Sequence, residues 1–285
     1  MNSFPVIPMT ATWNFNRGAR MKTATSSGLA RDSGEKIFDF KNDAYTHMPF
    51  AAPGAPPDFC PAEFCCIMVN GKWKLHRYLA GAWVRIPTGL PEDATECSPC
   101  GFCDPANEKW SLSFIAGGSA EQTQFYLYRI ADLANPESAA VIAADAGFVW
   151  KEKIVYAGRR SCITVAEGTR RTTYTLTDVE YLYRVSPHVE RPQELIVSGQ
   201  KTDGTVFSRL LAPMRKTLRE LSVDGEAAYK GIIWNGRCYY ARRDGKFEER
   251  HIVCSDRYRF RDLPYEENVT ENETAGEPVD GWEFE

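Results

Sequence analysis

The side chains of this sequence best equipped for chemistry are its cysteines. Cys97, Cys100 and Cys103 recur at every third position, close enough for thiolates to share a metal ion or cluster, and Cys60, Cys65 or Cys66 could supply a fourth ligand. A structural zinc site, however, separates its ligands into two pairs or mixes cysteine with histidine. An iron–sulfur run adds a nearby fourth cysteine, where this chain has Asn107. The triplet therefore reads as a thiol-rich stretch, and no metal or other cofactor is assigned. Nine cysteines are an odd number, and Met1 to Thr12 has no basic region followed by an apolar one, so the expectation is a chain without an export signal in which disulfides are not the default.

Carboxylates offer a second chemistry. Asp104, Asp145, Glu194 and Asp224 fall near the starts of separate sequence units and could act as acid and base on a glycan if the fold gathered them. Three of them sit in turn settings instead: Asp104 before Pro105, Asp145 close to Gly147, and Asp224 before Gly225. His47, His76, His188 and His251 are scattered, with no His-x-x-x-His pairing. Gly-x-Ser-x-Gly, Walker and Gly-x-Gly-x-x-Gly patterns are all missing, which removes support for serine-hydrolase and nucleotide-driven reactions. The expectation is that no residue is catalytic.

Basic pairs recur at Arg159-Arg160, Arg170-Arg171, Arg215-Lys216 and Arg242-Arg243, with Tyr156, Tyr174 and Tyr239 close by. Converged on one face they would suit phosphates or an acidic protein. The whole chain is acidic, at a formal charge of -4, which does not favour independent nucleic-acid binding. That sign comes from one place: residues 265–285 hold eight of the 38 acids and no Lys or Arg, so the remainder, with 30 acids against 34 bases, is about +4.

The elements that would have to position these groups divide the chain in three. Residues 1–59 are rich in Pro, Gly, Ser, Thr and Asn yet carry Trp13, Phe15, Phe38, Phe40, Tyr45 and Phe50, too many aromatics for a mere linker, and read as an extended arm that packs against something. Residues 265–285 read as an acidic tail with Trp282 and Phe284 as anchors. Between them, residues 60–264 form an all-β body of short alternating runs separated by turn dipeptides.

Asn70-Gly71 between Phe64–Val69 and Lys72–Leu79 predicts a type I′ hairpin. Asn235-Gly236 and Asp244-Gly245 punctuate a similar unit from Gly231 to Val253. Further hairpins are expected over 148–165 and over 194–211, and Pro213–Leu221 is the one plausible short helix. Tyr126-Leu-Tyr-Arg-Ile130 is echoed by Tyr181-Leu-Tyr-Arg-Val185. Unit markers recur every 40 to 55 residues or so, which suggests a propeller-like body of about five blades built from antiparallel meanders, with a β-sandwich or two small β-domains as competitors.

No run reaches the roughly 18 to 20 apolar residues of a membrane-spanning helix. An aromatic arm, a β body and a charged aromatic tail together describe a building block. The expectation is a structural or adaptor protein of a multi-subunit assembly such as a phage or other virion, assembled in the cytoplasm, with protein subunits as partners and homo-oligomers allowed. Trp13, Phe15, Phe38, Phe40, Trp282 and Phe284 are the expected interaction residues. The alternative is a glycan-binding or glycan-active propeller, and an enzyme is the less favoured reading.

Overall fold

Turn dipeptides and β-branched runs dictate a chain of antiparallel hairpins, and the computed structural model consists of them. It describes residues 64–276, apart from 71, 80–81, 105–108, 151, 159–160, 189–190, 192, 235–236 and 244–249, together with the backbone of four short strands between residues 20 and 46. Those four are β1 (Arg20–Ala24), β2 (Ala30–Asp32), β3 (Ile37–Asp39) and β4 (Ala44–Thr46).

The first sheet is the meander β5 (Phe64–Val69), β6 (Lys72–Leu79) and β7 (Ala82–Arg85). Val69 pairs with Lys72 across Asn70, whose φ of 50° is the left-handed conformation that a type I′ turn demands and asparagine tolerates. The second sheet is β8 (Thr95–Asp104), β9 (Lys109–Gly117), β10 (Tyr126–Ile130) and β11 (Ser138–Ala143). The third is β12 (Ala146–Trp150), β13 (Lys153–Ala157), β14 (Cys162–Glu167) and β15 (Arg170–Leu176).

The fourth sheet is β16 (Val179–Pro187), β17 (Leu195–Lys201), β18 (Val206–Ala212), β19 (Thr217–Val223) and the short β20 (Glu226–Ala227). The fifth holds β21 (Tyr229–Trp234), β22 (Arg237–Arg243) and β23 (Arg250–Ser255), extended by β1 and β2. Two later strands return to earlier sheets. β24 (Tyr258–Leu263) pairs with β19 over six residues. After the four-residue helix α1 (Tyr265–Asn268), β25 (Val269–Ala275) pairs with β15 over seven.

The body is thus all-β and, apart from the parallel β1–β23 pair, antiparallel; no closed barrel joins the sheets among the described residues. Two expectations need correction. Pro213–Leu221 is not a helix: only Pro213–Arg215 makes a 3-10 turn, and Thr217 onward is β19. A nine-residue helix is marginal alone, whereas β19 gains backbone partners on both sides, β18 and β24. The two Tyr-Leu-Tyr-Arg stretches do not mark equivalent places, since one is the third strand of its sheet and the other lies within the first strand of its own.

Packing follows chain order. Leu112, Phe114 and Ala116 of β9 point to one side, against Leu75 and Ile86 of the first sheet and its loop. Ile115 points to the other and packs with Val149, Ile154 and Ala166 of the third. β9, in the middle of the second sheet, is therefore buried on both faces, each large apolar side chain contributing about 1.5–3 kcal/mol. Leu221 and Val223 meet Cys238 in the same manner between the fourth and fifth sheets.

Candidate functional site

The third and fourth sheets leave a cleft between them. Its floor follows from strand alternation and register. Phe148, Val155, Val165 and Thr172 lie in one cross-strand row, and Trp150, Lys153, Glu167 and Arg170 form the next row toward the sheet end. β25 continues both rows with Glu273 and Ala275. The fourth sheet supplies the opposing lip through Leu195, Pro213 and Met214, and the volume of this open cleft is about 130 Å³. Met214 is 90% exposed, an apolar side chain held over an apolar hollow. Lys153 Nζ lies 3.3 Å from Glu167 Oε2, and Arg170 pairs with Glu273, so the outer row is lined by ion pairs while the inner row is largely apolar. Burial raises the Tyr174 hydroxyl above its ordinary range, with the carboxylates of Glu271 and Glu273 acting in the same direction.

Elsewhere the buried acids are locked into cationic hubs. Glu96, fully buried, receives both Arg85 guanidinium nitrogens at 2.7 and 2.9 Å, the Thr88 hydroxyl at 2.9 Å and the Leu75 amide at 3.0 Å, with Lys74 Nζ at 3.5 Å. It ties the second sheet to the first. Arg209, 1% exposed, is held by both oxygens of Asp178. The adjacent Glu220 carboxylate takes Lys201 at 2.5 Å and Arg261. The hydrogen bonds from Arg209 keep Asp178 below the usual carboxylate range. Burial opposes ionisation of Glu220, but its bonds to Lys201 and Arg261 outweigh that and hold its pKa down.

Glu194 binds Arg191 and Arg215 at 3.3 Å, with Arg219 at 4.0 Å. Beside it, fully buried His188 accepts from Arg191 at 3.4 Å. Burial, followed by the charges of Arg191 and Arg219, lowers its pKa to about 4.

A much smaller cavity, about 10 Å³, lies where β8, β12 and β16 meet, lined by Cys100, Gly147, Arg184 and Ser186 among others. It is about the size of one water molecule. Arg184 is 2% exposed and burial lowers its pKa to about 9; burial also drives the Cys100 thiol well above its ordinary value, so the sulfur stays protonated. A protonated, enclosed thiol is a poor nucleophile. The Ser186 hydroxyl has no hydrogen-bond partner among the described residues.

The expected site residues are placed as follows. Trp13, Phe15, Phe40, Trp282 and Phe284 lie outside the described residues, and Phe38 is known only as a backbone position in β3. Cys97 and Cys100 lie on either side of a bulge in β8 that puts Ser98 at φ 53°. Among the described residues no three His, Cys, Asp or Glu side chains could hold a metal ion together. Glu194 sits in its arginine hub, and Asp224, at φ 52°, turns the chain with Gly225 between β19 and β20. In the cleft, Glu167 is paired with Lys153 and is the one acid of its lining. Sequence reasoning missed the cleft. The alternation of Phe148 with Trp150 and of Arg170, Thr172 and Tyr174 could have given one wall, but the opposing lip is long-range.

Comparison with protein-family models, with curated proteins and with solved structures gives no match. No helix among the described residues is long and apolar enough to cross a membrane.

Proposed function

We propose that this chain is a structural or adaptor subunit of a multi-subunit assembly, with a virion as its setting. The observation that carries this reading is that the sheets take strands from remote parts of the sequence onto their edges. β1, from the arm, pairs in parallel with β23 through Lys22↔His251, Thr23↔Ile252 and Ala24↔Val253. β25 pairs with β15 from Leu176↔Val269 to Arg170↔Ala275. Edge addition of an extended segment is also how assembly proteins bind their neighbours, main-chain hydrogen bonds giving affinity and side-chain pockets giving specificity. The closed ion-pair hubs favour a binding role over acid–base catalysis, since their carboxylates are already neutralised.

Five successive sheets of chiefly antiparallel strands, with core clusters joining the first to the second, the second to the third and the fourth to the fifth, support a propeller-like body of about five blades as the docking platform. Trp13, Phe15, Phe38 and Phe40 are the arm's proposed anchors. Light scattering on the 285-residue chain, beside a variant with these four aromatics replaced by serine, tests the reading. An oligomer that dissociates in the variant supports it, and equal monomeric masses overturn it. Trp150 and Tyr174 in the cleft favour glycan binding as the second reading, because aromatic faces stack on sugar rings; oligosaccharide titration of the monomer decides that case.

A further inference from the structure

We propose that the cleft between the third and fourth sheets is the docking site of this chain's own closing segment, residues 277–285, with the Trp282 indole as the buried anchor. The register of β25 carries the argument. β25 leaves the third sheet at Ala275, opposite Arg170, in the same cross-strand row as Glu167, Lys153 and Trp150, which line the cleft. The Gly276 amide then donates to Thr169 O at 2.7 Å, so the chain is handed over at the cleft's own end of the sheet.

Reach is sufficient. From β25 to β14, whose Val165 lies in the cleft floor, is two strand spacings, ~10 Å, and the five residues from Ala275 to Asp280 span up to ~17 Å before the chain turns. The sequence of the segment, Glu-Pro-Val-Asp-Gly-Trp-Glu-Phe-Glu, fits the path. Pro278 cannot continue the ladder as a donor, and Asp280-Gly281 is a turn dipeptide able to double the chain back over the sheet face. Trp282 and Phe284 then project to one side, with Glu283 to the other.

Size and charge agree. A cavity near 130 Å³ is comparable to the roughly 150 Å³ cavity that holds a benzene ring, so it takes one aromatic side chain. Met214, exposed on the lip, is the soft side chain that closes over an aromatic face. The segment holds four acids and no base, while the lip continues from Met214 into Arg215 and Lys216, both more than 60% exposed, and Arg170 stands 67% exposed on the opposite wall. Each already has an acidic neighbour, so the arriving carboxylates extend ion-pair networks on a solvated rim and the indole supplies the anchor.

The test uses the full chain with 5-fluorotryptophan at its seven tryptophans and reads fluorine NMR, the Trp282 line being assigned by Trp282→Phe. Docking predicts a Trp282 line displaced from its denatured position and without a solvent isotope shift, and a Trp150 line that moves in Trp282→Ala. Val165→Arg, which fills the cleft, should return Trp282 to the free position. Met214→Glu, a change at a solvent-exposed site that leaves the fold intact, should shift the free fraction upward by about tenfold, with the Trp73 and Trp110 lines unmoved as the control for folding. A free Trp282 line in the unsubstituted chain, or a displaced one that ignores both cleft variants, overturns the proposal. A displaced line that becomes free on twentyfold dilution also overturns it, by identifying a second copy as the donor.

Discussion

At the scale of single residues, the buried charges are where this protein is most vulnerable. Removing one partner of a buried ion pair costs about 3–5 kcal/mol because the other is left unsolvated. Glu96 serves Arg85, Thr88 and the Leu75 amide at once, and Lys74 beside it is 2% exposed. Glu96→Ala should therefore lower the unfolding free energy by about 4 kcal/mol in urea titration, whereas Glu273→Ala, which removes a surface partner of Arg170, should cost less than about 1 kcal/mol. A cost for Glu96→Ala no larger than for Glu273→Ala would mean that the hub is not a structural tie.

His188 adds a pH dependence of definite sign. Its folded pKa of about 4 is below the unfolded value of 6.5, so between these the unfolded chain binds a proton that the folded chain does not. Stability is complete above about pH 6.5 and falls as pH drops toward 4, by up to about 3 kcal/mol at 1.36 kcal/mol per pKa unit. His76, lowered chiefly by burial, acts in the same direction. Urea midpoints measured from pH 7 to pH 4 should show this slope, and His188→Gln should flatten it.

At the scale of elements, one glycine shows how closely the strands approach. Gly199 faces a bulge in β16, and a Cβ there would lie 2.1 Å from the Tyr181 carbonyl oxygen and 3.1 Å from the Phe207 ring. Backbone must move to admit it, so Gly199→Ala should cost about 3 kcal/mol and lower the melting temperature, while Gly168→Ala, with open space around the Cβ, should cost only the strain of its positive φ.

The hairpins were legible for local reasons. Asn70-Gly71 fixed the first turn, and the expected runs at 64–69, 72–79 and 237–243 coincide with β5, β6 and β22, because alternation and turn chemistry are both local properties. What stayed hidden is long-range. Leu218 and Leu221 have the i, i+3 spacing of a helix, and only the pairing of Arg219 with both Leu210 and Asp262 shows why that segment is a strand. The acidic run 269–275 offers no apolar alternation at all and is exposed after Val269, so its place on β15 is set by main-chain pairing and could not be read from its side chains. The cleft was hidden with it, since one wall needs this register and the other needs the fourth sheet.

For the whole molecule, these late strands decide which edges remain open to a neighbour. β15 carries Thr172, Thr173, Tyr174, Thr175 and Leu176 in succession, residues of high strand propensity without a charge among them, and β25 covers that edge with an exposed acidic strand. The acidic run therefore acts as a shield: it completes the ladder on one side, and Glu271 and Glu273 leave charged side chains along the edge that remains, which discourages a further strand from adding. Removing residues 265–285 takes away buried Tyr265 and the whole shield, and uncovers β15 as a pairing template. Light scattering should then show the shortened chain associating more strongly than the 285-residue chain, even though eight acids have been lost and its net charge has moved from -4 to about +4. The serine variant of the arm aromatics is expected to change the mass in the opposite direction, since it removes an attachment and exposes no edge. Opposite signs from the two ends would separate an arm that joins subunits from a strand that keeps them apart; a shortened chain that stays monomeric and folded would show that β15 needs no cover.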